Sequence, residues 1–151
     1  MPPESATAVA EPSVLPARPV LPAMVKGARQ VCPACGREPL FTSYLKVTPR
    51  CPSCGEQLHH HRADDAPPYF TMFIVGHIVI AGVLLLEQTV APPQWLHLAI
   101  WLPLTVALSL LLLPSVKGAL IGLQWANRMH GFGQGIDPAD PLPAPVPDSH
   151  R

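Results

Sequence analysis

Cys32-Pro33-Ala34-Cys35-Gly36 and Cys51-Pro52-Ser53-Cys54-Gly55 are two copies of one five-residue unit, and together they hold all four cysteines of the chain. Two residues separate the ligands within each pair, and fifteen separate the pairs. That spacing is the pattern of a ribbon-type zinc site with one structural Zn2+ held by Cys32, Cys35, Cys51 and Cys54. A two-residue gap lets a tight turn aim both thiolates at one ion. The proline stiffens the turn, and the glycine after the second cysteine can take the positive φ that turns backbone N–H groups toward sulfur. Two disulfides or a redox pair are the competing readings. The repeat favours a metal, because a single Cys-x-x-Cys is a weak signal and two at ribbon spacing are a strong one.

Working outward, residues 29–62 form the expected ribbon. Its connecting stretch, Leu40 to Val47, is rich in aromatic and β-branched residues and reads as a strand or hairpin. Phe41 and Leu45 are expected on one face and Tyr44 on the other. About 34 residues bury little core, so folding of this head and metal binding are expected to be one event. Residues 1–28 carry six prolines in the first 23 positions and read as a disordered tail. No signal peptide is legible in them, since the start has neither a basic end nor a continuous apolar core.

Beyond the ribbon, residues 69–88 are almost wholly apolar, interrupted only by His77 and the closing Glu87-Gln88. Twenty residues at helical rise span roughly 30 Å, the thickness of bilayer hydrocarbon. Pro67 and Pro68 precede the run, near a helix start where a missing N–H costs little. A second run covers residues 95–114, with Trp95 and Trp101 toward one end and Pro103 inside it, where a kink is expected. Residues 115–130 read as an amphipathic extension and 131–151 as a second disordered tail. The fold class expected is thus a small membrane protein. A four-cysteine zinc ribbon of short β-structure precedes an all-α two-helix transmembrane hairpin with an amphipathic C-terminal extension.

Formal net charge is zero, which speaks against a nucleic-acid partner for the chain as a whole. The charge is unevenly spread. Met24 to Arg62 holds six Lys or Arg against two Glu, whereas the loop Thr89 to Gln94 has none. By the positive-inside rule both termini and the ribbon are cytoplasmic, and the hairpin loop lies on the far side. Reduced, metal-spaced cysteines agree with that compartment.

Three polar features carry candidate chemistry. The junction, residues 63–68 with the histidines before it, contains His60, His61, Arg62, Asp64 and Asp65. It reads as a helix-capping and interface segment, as a docking site, or as a second metal or acid–base site. His77 lies about 12 Å into the first span. An ionisable group there is expected to turn inward, bonding Thr105 or Ser109, or to meet a partner protein; proton relay and haem ligation are the remaining options. Glu87 and His97 flank the short loop and are expected to pair.

The residues Cys32-Pro-x-Cys-Gly, Leu40-Phe41, Tyr44 to Val47, Cys51-Pro-x-Cys-Gly, His60 to Phe70 and Gly76-His77 together resemble the domain-of-unknown-function 983 family of small bacterial membrane proteins. His59 stands outside that pattern. The resemblance runs from about Arg29 to Arg128. It implies a multi-pass protein of the bacterial inner (plasma) membrane with no assigned reaction, encoded near haem-copper oxidase subunits and their assembly factors. The expected role is an accessory or interaction protein rather than an enzyme, with the lipid bilayer and another membrane protein or complex as partners and self-association open. The alternative is a metal carrier or membrane enzyme working through the His/Asp junction.

Overall fold

A computed structural model describes residues 17–60 and 65–132. Helix α1 (Val20–Ala28) leads into a two-stranded antiparallel hairpin of β1 (Phe41–Ser43) and β2 (Lys46–Val47). Two long helices follow, α2 (Ala66–Val90) and α3 (Gln94–Ala126), and a 3-10 turn at Met129–Gly131 ends the described chain. Four clustered cysteines, a short sheet and two long apolar helices are the architecture expected from the sequence.

Helices α2 and α3 are long and apolar enough to cross a membrane. Only 11% of the most apolar stretch of α2 is buried, and none of that of α3. The turn between them is three residues long. Ala91 adopts the left-handed conformation (φ 46°) that ends α2, and Pro92 and Pro93 forbid its continuation.

At about 50 Å, α3 exceeds the thickness of bilayer hydrocarbon by roughly 20 Å, or about 13 residues. Those last residues are where its character changes. Pro114, Gly118, Ile121, Gly122 and Ala126 are buried, and they pack against α1 and the cysteine-bearing head. The expected amphipathic extension is the end of α3 itself, continuous with the second long helix and packed into the head. Pro114 does not stop the helix. The carbonyl of Leu110, deprived of its i+4 N–H by that proline, instead accepts the Tyr44 hydroxyl at 2.9 Å.

The tail expected over residues 1–28 is likewise corrected in its last part. Pro22 falls in the first turn of α1, where the N–H has no helical partner anyway, so the proline-rich composition does not prevent a helix. Ala23 and Gly27, one turn apart, are buried against Gly122 and Gly118, also one turn apart. A Cβ on Gly27 would overlap the Gly118 carbonyl, and a Cβ on Gly118 would overlap that of Gly27. The small residues are what let the two backbones touch. At the other end, Phe132, expected in the C-terminal tail, is 0% exposed and sits among Leu40, Leu58, Ile121 and Cys32 in the head core. The remaining tail residues, 1–16 and 133–151, lie outside the described residues.

The connecting stretch is a hairpin, but its face assignment changes. Ser43 pairs with Lys46, so Tyr44 and Leu45 form the two-residue turn instead of alternating along a strand, and Leu45 takes φ 62° to close it.

Candidate metal centre

Each knuckle is built the same way. In the first, an isolated bridge pairs Val31 with Pro39, the Cys32 N–H donates to Glu38 O at 2.9 Å, and the Gly36 N–H donates to Cys32 O at 2.8 Å. In the second, Arg50 pairs with Gln57, the Cys51 N–H donates to Glu56 O at 2.9 Å, and the Gly55 N–H donates to Cys51 O at 2.9 Å. Gly36 and Gly55 hold φ of 70° and 73°, the positive values that the sequence pattern called for.

These two turns bring the four sulfur atoms within 4.8 Å of one another, the one such cluster among the described residues. Across the knuckles, Cys32 Sγ lies 3.8 Å from Cys54 Sγ and Cys35 Sγ lies 3.7 Å from Cys51 Sγ. These atoms are not bonded, and all four cysteines are free. Four thiolates set about 2.3 Å from a central ion would stand about 3.8 Å apart along each edge of a tetrahedron. The donor set and spacing therefore fit a metal ion with every coordination position taken by sulfur.

The electrostatics of the cluster are graded. Backbone N–H groups of Arg37 and Glu38 stabilise the Cys35 thiolate and bring its pKa down from 9.0 to about 6. Burial pushes the thiols of Cys32 and Cys54 up instead. Cys32 and Cys51 are buried, whereas Cys54 is exposed.

Residues that sequence reasoning passed over hold this centre in place. The Lys26 ammonium donates to the carbonyl of Ala34 at 3.2 Å, across the first knuckle. Arg18 donates to Trp125 O at 3.0 Å, lies 4.3 Å from the centroid of that indole, and approaches Glu56 at 3.9 Å. One side chain thus ties the segment before α1 to the end of α3 and to the second knuckle. The signal for this packing in the sequence is the one-turn spacing of two small-residue pairs, Ala23 with Gly27 and Gly118 with Gly122.

The other candidate residues do not gather into a second site among the described residues. His60 bonds Gln57 at 3.2 Å, stacks on His59 at 3.9 Å, and meets the Phe132 ring edge at 6.1 Å. It packs the junction against the end of the chain. His61, Arg62 and Asp64 lie outside the described residues. Asp65 occupies the N-cap position of α2, near the positive end of the helix as expected, but makes no capping hydrogen bond. The reason is local: an N-cap side chain bonds the N–H of the second or third helical residue, and here those are Pro67 and Pro68.

His77 is turned outward, not inward. Its Nδ1 meets Phe73 O at 2.8 Å and its ring stacks on Phe73 at 4.2 Å, while Thr105 bonds Trp101 O within its own helix. Glu87 and His97 do meet, at 3.0 Å, beside the short turn. Between α2 and α3 lies an apolar cleft of about 480 Å³ lined by Thr71, Val75, Gly76, Ser109 and Leu113.

No curated protein and no solved structure matches the chain. One family model does, over residues 41–125, a narrower span than the resemblance suggested and one that begins after Cys32 and Cys35. The match takes in β1, β2, the second knuckle, α2 and nearly all of α3, which is more than half of the chain. On that match the chain belongs to the family described as protein of unknown function, DUF983.

Proposed function

We propose that this protein is an integral membrane accessory protein: a structural zinc head carried on a helical hairpin, which docks on another membrane protein and performs no reaction of its own. The observation that supports it most directly is the closed four-thiol cluster, whose 3.7 and 3.8 Å edges leave no open position for a substrate. Zinc suits such a set because it is redox-inert and accepts four sulfurs in a tetrahedron without geometric preference. Bound there, it supplies cross-linking of the two knuckles. Cys32, Cys35, Cys51 and Cys54 would hold it, and Lys26 and Arg18 hold the knuckles against α1 and α3.

Orientation follows from charge. The basic head and the uncharged turn at residues 91–93 support an orientation with both ends and the head on the cytoplasmic side, and the family resemblance supports a multi-pass protein of a bacterial inner membrane. Burial of the last third of α3 in the head supports a rigid unit, with the head standing directly on the bilayer. The process implied by the family resemblance is biogenesis of a haem-copper oxidase. Affinity isolation of the full chain from native membranes, at native expression, tests the reading. Co-isolation of an oxidase subunit or assembly intermediate is the expected result. Recovery of the chain without any membrane protein would overturn it.

A further inference from the structure

The outer face of α2 carries a polar group that the fold leaves unused. Valine and threonine at positions 75 and 71, 2% and 3% exposed, mark the face of α2 that meets α3. Helical geometry puts Phe70, Phe73, His77 and Leu84 on the opposite face. The three apolar members of that set are all more than half exposed, and His77 is exposed with them. His77 lies one residue from the midpoint of α2, so in a spanning helix it sits near the bilayer centre.

The bonding of His77 decides what it needs. The carbonyl of Phe73 can only accept, so Nδ1 carries the proton. In the neutral ring Nε2 is then a lone-pair acceptor, and it has no hydrogen bond among the described residues. A bare acceptor at that depth is costly unless a donor meets it. Lipid tails offer no donor. A second copy of this chain, packed symmetrically at the same depth, would bring acceptor against acceptor.

We infer that the Phe70–Phe73–His77–Leu84 face of α2 is a docking surface for a transmembrane helix of a different protein, one that presents an uncharged hydrogen-bond donor at mid-bilayer depth to His77 Nε2. Phe73, stacked on the imidazole, fixes the ring and supplies an apolar ridge beside it. This inference rests on the membrane reading above and names the surface by which the hairpin would dock.

The test places a photo-crosslinking amino acid at Leu84, and separately at Met72 on the cleft side, in the full chain in native membranes. A discrete adduct with one foreign protein is expected from Leu84 and not from Met72. It should fall about tenfold in His77→Leu, the effect of losing one desolvated hydrogen bond, and recover in His77→Gln, whose amide carbonyl also accepts. Absence of adduct, an adduct indifferent to His77→Leu, or an adduct with a second copy would overturn the inference. So would a haem absorption band in the purified protein that His77→Leu abolishes. Release of the chain from membranes by alkaline carbonate would refute the membrane reading itself, which separates the two failures.

Discussion

Tyr44 reaches from the tip of the hairpin to Leu110 O, a carbonyl that Pro114 has deprived of its helical donor. A phenol on one element thus repairs a backbone defect on another. Replacing it by phenylalanine keeps the ring and leaves the carbonyl unbonded, so Tyr44→Phe should destabilise the head by about 1 kcal/mol, measurable by thermal unfolding in detergent. At the centre itself, the thiols should differ in the metal-free protein. Lowered from 9.0 to about 6, Cys35 stabilises the folded head fully above about pH 9, and that contribution is lost as pH falls through about 6. Cys32 and Cys54 act in the opposite sense: raised by burial, they favour the folded head while protonated and weaken it as pH climbs past the ordinary thiol range.

Among the elements, α1 and the end of α3 were the least legible. Proline content hid α1, because composition does not say that Pro22 falls in a first turn. The end of α3 looked like a surface helix because, Ile121 apart, its buried positions are Pro114, Gly118, Gly122 and Ala126, which carry little hydrophobic signal. What the sequence does contain is two small-residue pairs, Ala23 with Gly27 and Gly118 with Gly122, each at one-turn spacing. Because a Cβ on Gly118 would collide with the Gly27 carbonyl, Gly118→Leu should separate α1 from α3. Limited proteolysis would then cut within Val20–Ala28, while the hairpin of α2 and α3 stays intact. Resistance equal to that of the native chain would show that the contact is dispensable. The knuckles were legible throughout, since their chemistry lies in residue type and spacing alone. His77 was not: its depth could be counted, but which way it faces depends on how α2 packs on α3.

Across the whole molecule, one helix joins two parts that form for different reasons. The hairpin depends on two runs of apolar residues and needs no metal. The head buries only a small core, in which Cys32 and Cys51 share space with Leu40, Val47, Leu58, Ile121 and Phe132, and it needs a cross-link to hold. Cys51→Ser should accordingly unfold the head and leave the chain resistant to carbonate extraction. Loss from the membrane would mean that the two parts are not independent. The central claim is that the four thiols form one closed zinc site and that the junction holds no second metal. Native mass spectrometry of the full chain in detergent micelles measures this directly, in the unaltered protein and in a His60→Ala variant. The account predicts one zinc per chain in both. A second metal that disappears in His60→Ala, or a chain isolated with no zinc at all, would contradict it.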